Sequence, residues 1–292
     1  MSSSLIIASE QDFELNPESS LTIGGGYDSD ENKSYNLMLD LELSNFQHLG
    51  FGYARNISSL DNSSAHRYTV FASTSAYQEF SLDVEINYLE LSDALETYTF
   101  SNTINLNLEN WHFSLAPQLN AISFFLNSNR QNKFDIYAKG VEISSSYFGF
   151  EKFYFSASYF KNVFSDKPSF LQPSVFDSLN IRRINKILII EKINELASSL
   201  EEQHFSITAG KFFDWGSLDV TWSYVKLFNV AQWLDFPKLE QYNANNNISS
   251  YYVSSNLPLN KHFTVGFSLG WQTTSSESDG LLFTSTDLSY HW

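Results

Sequence analysis

Six carboxylates, Asp40, Glu42, Asp83, Glu85, Asp219 and Asp287, fall at alternate positions of polar-faced segments, and few cations are placed to oppose them. Gathered on one wall of a narrow aqueous path, they would focus a negative potential and favour cations over anions. The plainer alternative is that they hydrate the wall or pair with arginines. Covalent chemistry has less to work with. His112 and Ser114 are the one tempting base and nucleophile pair, and no acid is placed to orient the imidazole. His48, His66, His204, His262 and His291 are scattered without metal-ligand spacing. There is no cysteine, which removes thiol catalysis, disulfides and cysteine metal sites together. Gly24-Gly25-Gly26 marks a bend or a close approach rather than a phosphate loop, because no helix follows it. No enzyme activity, cofactor or metal is expected.

The elements that carry these residues read as strands. Tyr35, Leu37, Leu39, Leu41 and Leu43 alternate with Asn36, Met38, Asp40, Glu42 and Ser44. Phe80, Leu82, Val84, Ile86 and Tyr88 alternate with Ser81, Asp83, Glu85 and Asn87. Tyr98 to Leu108 does the same with Asn102 as its one blemish, and so does Phe263 to Trp271. Strict alternation puts one residue class on each face of an extended chain. About fourteen such segments can be counted, with 12 to 16 compatible, each near the ~9–11 residues that cross a bilayer at a tilt. They lie at 20–28, 34–44, 48–57, 66–75, 79–91, 96–109, 111–123, 133–147, 153–163, 204–213, 217–227, 249–259, 262–273 and 281–292. Pro117 and Gly140 suggest bulges, and the face of the eighth strand is predicted to flip near Lys139 to Ile143.

Connections after even-numbered strands are short, and those after odd-numbered strands are mostly longer and polar, a pattern of short periplasmic turns and long extracellular loops. The expected fold is therefore all-β, a closed antiparallel transmembrane barrel over residues 19–292. A soluble β sandwich also alternates, but its outward faces carry charge, whereas the polar faces here are rich in Ser, Thr, Asn and Gly, as a water-filled interior would be. Tyr35, Tyr53, Tyr88, Tyr98, Tyr159, Tyr224 and Trp271 gather at the loop ends of the apolar faces. Phe80, Trp111, Phe113, Phe263, Tyr290 and Trp292 gather at the turn ends, giving two interfacial girdles.

Composition agrees with that division of labour. The 292 residues are 42% hydrophobic, 16% aromatic and 17% charged, with a net charge of −16. So acidic a chain argues against nucleic acid as partner. Residues 1–18 form a separate N-terminal segment: Met1 to Ala8 reads as the remnant of a secretion signal or as a frayed end, and both readings stay open.

One insertion, 165–203, breaks the pattern. From Asp177 or Ser178, which can cap a helix, Ile181, Ile184, Leu188, Ile193, Leu196 and Leu200 recur at amphipathic spacing to 202, with Arg182, Arg183, Lys186 and Lys192 early and Glu195, Glu201 and Glu202 late. The helix could constrict or cover the barrel mouth, engage a partner or a membrane surface, or pack on the neighbouring loop near Trp233, Leu234 and Phe236.

The chain end, Leu282-Phe283-Thr284-Ser285-Thr286-Asp287-Leu288-Ser289-Tyr290-His291-Trp292, resembles the terminal strand of bacterial outer-membrane β-barrel proteins. Leu288, Tyr290 and Trp292 occupy the alternate positions of that assembly signal, Trp292 standing where the family more often has Phe. The resemblance implies recognition by the barrel-assembly machinery, a periplasmic C-terminus and residence in the bacterial outer membrane; it identifies no subfamily. His112-Phe113-Ser114 is superficially similar to the His-x-Ser of outer-membrane phospholipase, but the Asn-Gly that should follow is missing. Arg55, Lys161 and Lys226 continue the apolar faces one step past Tyr53, Tyr159 and Tyr224, at the height of lipopolysaccharide phosphates, or else are solvated loop-edge cations. The expected function is a porin-like channel for small hydrophilic solutes with a preference for cations. The alternative is an export, secretion or surface-assembly component that acts through a periplasmic or surface protein partner.

Overall fold

The computed structural model describes residues 19–44, 47–59, 64–77, 79–91, 95–125, 133–150, 152–164, 201–226, 247–274 and 280–292. Fourteen antiparallel strands close into one barrel. They are β1 (Ser20–Asp28), β2 (Lys33–Ser44), β3 (Gln47–Ile57), β4 (Ser64–Tyr77), β5 (Phe80–Leu91), β6 (Leu95–Leu108) and β7 (Trp111–Phe125). There follow β8 (Lys133–Phe150), β9 (Phe153–Phe164), β10 (Glu201–Phe213), β11 (Gly216–Lys226), β12 (Asn247–Pro258), β13 (Phe263–Thr274) and β14 (Leu281–His291). Each strand pairs with its neighbour in the chain, and β14 returns to pair with β1. Closure leaves no sheet edge. Residues 1–18 and the 177–200 part of the predicted 177–202 helix lie outside the described residues, as do Trp233, Leu234 and Phe236. Glu201 and Glu202, predicted as the end of that helix, and Gln203, predicted as the end of the inserted loop, open β10 instead.

Alternation is what permits closure. Between β5 and β6, Leu82 faces Ile104, Ile86 faces Phe100 and Tyr88 faces Tyr98 on one side of the sheet. On the other side Ser81 faces Asn105, Asp83 faces Thr103 and Glu85 faces Ser101. The apolar set is turned outward, with Ile86, Tyr98, Phe100 and Ile104 exposed, as are Ile23, Leu37, Leu119, Val220 and Leu269. Among the described residues the only buried hydrophobics are Ala116 and Ala138, so the described barrel has no apolar core. Ladder hydrogen bonds hold it together, and its outer band is a surface that water solvates poorly.

Both aromatic belts form on that outer surface. Tyr53, Tyr68, Tyr88 and Tyr98 make a continuous row across β3 to β6, with successive ring centroids 5.3, 6.0 and 4.8 Å apart. At the opposite end Tyr290 packs against Phe263 at 5.0 Å and Trp292 at 5.7 Å.

The predicted irregularities in β7 and β8 are corrected. From Trp111 opposite Tyr147 to Phe125 opposite Lys133 the two strands pair in a single register, so β8 does not flip near Lys139 and Gly140 marks no bulge. Lys139 simply remains outward, opposite Leu119 and Val163. Pro117 does leave a mark, though not as a register shift. Pairing of β7 with β6 skips Asn102 and Thr103, because a proline opposite Asn102 has no N–H to donate. The actual shifts, at Glu42/Ser44, Thr74/Tyr77 and Tyr147/Phe150, all sit where strands turn back at one end of the barrel. That end, reached after each even-numbered strand, is called the turn end below.

The turn between β10 and β11 depends on glycine. Gly216 has φ +146°, and a Cβ there would lie 2.1 Å from the Asn256 carbonyl oxygen. Backbone on backbone cannot give way as a side chain could. Gly216→Ala is expected to destabilise the barrel by about 2–4 kcal/mol, read as a lower urea midpoint for the refolded protein; an unchanged midpoint would show that the turn relaxes freely. Asp214 of the same turn is 2.8 Å from the ammonium of Lys152 in the neighbouring turn between β8 and β9, which holds its carboxyl below the usual range. Both side chains are exposed, so the pair pins the turn only weakly.

Candidate functional site in the barrel interior

Following paired residues once round the barrel from Ile23 returns to β1 about fourteen residues out of register. With ordinary strand spacing, that offset gives a tilt of roughly 35° and a backbone radius of roughly 13 Å. After inward side chains are allowed for, the wall encloses a path roughly 10–15 Å across where they are small. They are mostly small and polar. Ser114 bonds Ser144 at 2.6 Å, Ser158 bonds Ser206 at 2.8 Å, Thr208 bonds Thr221 at 2.7 Å and Ser268 bonds Ser285 at 2.6 Å.

All six carboxylates expected inside occupy the inner face. Asp40 and Glu42 are on β2, opposite Gly50 and His48. Asp83 and Glu85 are on β5, opposite Ser73 and Phe71. Asp219 on β11 faces Gly210, and Asp287 on β14 lies between Gly24 and Gly266. The Asp287 carboxylate occupies the space left by Gly266, where a Cβ would fall 2.3 Å from its Oδ1. The six do not converge on one point but are spread over the wall, with β2 and β5 carrying the densest part.

Hydrogen bonds fix that part. Asn105 Nδ2 donates to Asp83 Oδ2 at 2.6 Å and to Ser81 Oγ at 3.0 Å. Thr69 donates to Asn87 Oδ1 at 2.6 Å, and Asn87 in turn donates to Glu85. His48 Nδ1 lies 3.1 Å from Asp40 Oδ1. On the far wall Thr99, Asn120, Asn162 and Glu202 form a relay of 2.7, 3.4 and 3.4 Å steps. The step from Asn120 to Asn162 spans β8 where Gly140 contributes no side chain.

Four inward charges escaped the sequence reading. Glu142 was obscured by the supposed flip of β8, Glu202 by the supposed loop, Arg67 by the polar start of β4 and Asp28 by its place at the very end of β1, opposite Phe283. Parity would have found each: Glu142 is two residues from Ser144, Glu202 two from His204, Arg67 two from Thr69 and Asp28 two from Gly26. Among the described strand residues, Arg67 is the one Lys or Arg on the inner face, so the imbalance in favour of carboxylates stands.

Other candidates separate. His112 and Ser114 share the inner face but not a bond: His112 Nδ1 is 2.5 Å from Asn107 Oδ1, and Ser114 is bonded to Ser144. Arg55, Lys161 and Lys226 are outward near the loop end, in register with Tyr35, Gln203 and Gln203 respectively. Lys161 Nζ is already 3.0 Å from Glu201 Oε2. Leu288, Tyr290 and Trp292 are outward and exposed on or just past β14. Arg182, Arg183, Lys186, Ile184 and Leu188 lie outside the described residues. At the loop end of the inner wall a cavity of about 460 Å³ is lined by Asp28, Asn32, Ser34 and Asn56.

Comparison with known proteins recovers the fold and little else. No family model matches the chain, and no curated protein matches its sequence. The solved structure of the CymD monoaromatic hydrocarbon channel is similar at TM-score 0.55 and 10% identity, over 95% of this chain and 91% of that one. OmpT of Vibrio cholerae, an outer membrane protein folded in vitro, is similar at TM-score 0.49 and 7% identity, over 94% and 98%. An anion-selective porin from Comamonas acidovorans follows at 0.46 and 6%, over 94% and 98%. What the CymD chain shares with the present one is the fold.

Proposed function

We propose that this protein is a channel of the Gram-negative outer membrane that passes small hydrophilic solutes and prefers cations. The observation that carries the reading is the inner wall, where, among the described strand residues, carboxylates on β2, β5, β8, β10, β11 and β14 share a polar surface with one guanidinium, that of Arg67. An enclosed path of that width concentrates counter-ions by electrostatics alone. The apolar outer band with an aromatic belt at each end suits a bilayer, and the name of the CymD structure is in keeping with a channel. Planar-bilayer recording in a KCl gradient tests the reading: a reversal potential towards potassium is expected. A closed pore together with a co-purifying protein would instead favour the export or assembly alternative.

Two finer assignments belong to the same reading. Arg55 and Lys226 are taken to pair with lipopolysaccharide phosphates, Lys161 doing so in competition with Glu201. Changing all three to Gln is expected to lower the lipopolysaccharide that co-purifies with the barrel; an unchanged amount removes the role. The amphipathic sequence from 177 up to the start of β10 is taken to constrict or cover the mouth, with Arg182, Arg183, Lys186, Ile184 and Leu188 on the functional segment. Deleting 167–200, which leaves β10 whole, is then expected to raise single-channel conductance, and an unaltered conductance rules the gate out.

A further inference from the structure

At the turn end of the inner wall three aromatic rings lie together. Phe148 on β8 stacks on Tyr154 of β9 at 5.5 Å, and Tyr154 stacks on Phe212 of β10 at 5.3 Å, with interplanar angles of 28° and 30°. The sequence reading had assigned aromatics to the outer belts, and these three depart from it. Their placement depends on a missing side chain. Tyr154 lies over Gly210, where a Cβ would come within 2.1 Å of its ring, and reaches across to donate its hydroxyl to Asp219 Oδ1 at 2.5 Å.

The stack does not serve a core, because the described barrel has none. Elsewhere on the described inner wall Phe71 lies over Gly50, Phe160 beside Gly140 and Phe283 over Gly270. Here three rings are stacked in a row and the central one is bonded to a carboxylate. Aromatic faces attract cations through their quadrupole, and the surrounding wall already selects for positive charge.

We propose that Phe148, Tyr154 and Phe212, together with Asp219, form a docking subsite at the turn-end mouth for organic cations, that is, substituted ammonium ions carrying an apolar or aromatic body. The inference rests on the cation-preferring channel and names the solute class that one part of it holds. The rings contact the apolar body and the charged head, and Asp219, already positioned by Tyr154, supplies the counter-charge. A neutral molecule of the same shape lacks the cation–π and ionic contributions, and a small inorganic cation lacks the stacking.

The test uses the refolded full chain and benzyltrimethylammonium as probe. In bilayers it is expected to block potassium current at least about tenfold more strongly than benzyl alcohol or tetramethylammonium. The Phe148→Leu/Phe212→Leu double variant, conservative in volume, is expected to lose most of that difference while its reversal potential in KCl stays that of the parent. Saturation-transfer NMR on the detergent-solubilised barrel reads the same subsite without conduction, and the aromatic protons of the probe are expected to show transfer in the parent and much less in the variant. A cation-selective parent that is blocked equally by probe and benzyl alcohol overturns the subsite and leaves the channel reading intact. Equal transfer in parent and variant also overturns it. An anion-selective parent overturns the channel's cation preference, and with it the basis for the subsite.

Discussion

Replacing Asp40, Glu42, Asp83 and Glu85 together by their amides is expected to reduce the potassium-to-chloride permeability ratio by on the order of tenfold. A unit charge ~6 Å from a carboxylate gains roughly 0.7 kcal/mol at the dielectric constant of water, and salt at physiological strength screens beyond ~8 Å. Four carboxylates on two nearby strands therefore sum to roughly 1–3 kcal/mol before screening, and a tenfold effect corresponds to ~1.4 kcal/mol. The wall should survive the change. Asn105 donates to Asp83, and an amide oxygen at position 83 can still accept. Glu142, Glu202, Asp219 and Asp287 remain inward, so some preference should persist. The reverse change completes the test: Arg67→Gln removes the inward guanidinium and should raise the ratio. If the tetra-amide keeps the parental reversal potential, the carboxylates only hydrate the wall and the selectivity reading fails.

The strands were legible because a barrel wall separates two solvents, and each imposes its residue class at a period of two. Segments read at 34–44, 79–91 and 281–292 coincide with β2, β5 and β14 to within about two residues, and the inward set of six acids follows from parity alone. Legibility failed where a residue belonged to the wrong class for its face. Lys139 is a cation on the outer face, so its polarity pointed inward while the register points outward; Asn102, an amide on that face, is legible as the one break in an otherwise regular strand. Charge alone could not decide between a flip and an exception; fifteen consecutive pairs between β7 and β8 do. The aromatic stack was hidden for the opposite reason. Phe148, Tyr154 and Phe212 are apolar rings on the aqueous face, and only their spacing from Ser146, Ser156 and Gly210 marks the side they occupy. What no periodicity expresses is contact across strands: that Tyr154 passes over Gly210 to Asp219 depends on the stagger of three strands.

The last strand gives the other large effect, and two variants separate its two roles. Removing 281–292 deletes the partner of both β13 and β1, leaving two edges whose N–H and C=O groups have no acceptor or donor in a bilayer. Each unsatisfied group costs roughly 2–7 kcal/mol, so a few of them exceed the ~5–15 kcal/mol that stabilises a folded chain. No heat-resistant folded band is expected on a gel after refolding into detergent. Changing Leu288, Tyr290 and Trp292 to Ser leaves the ladder in place, since their side chains are outward and the pairs Leu288 with Ile23 and Tyr290 with Leu21 are made by backbone. What is lost is outer apolar surface and the packing of Tyr290 on Phe263 and Trp292. If these three residues act as an assembly signal, the triple variant should still refold in detergent but should be depleted from the outer-membrane fraction of expressing cells by about tenfold or more. Parental abundance in that fraction would deny them the signalling role. Failure in detergent as well would assign the loss to stability, because a machine-read signal should matter only where the machine is present.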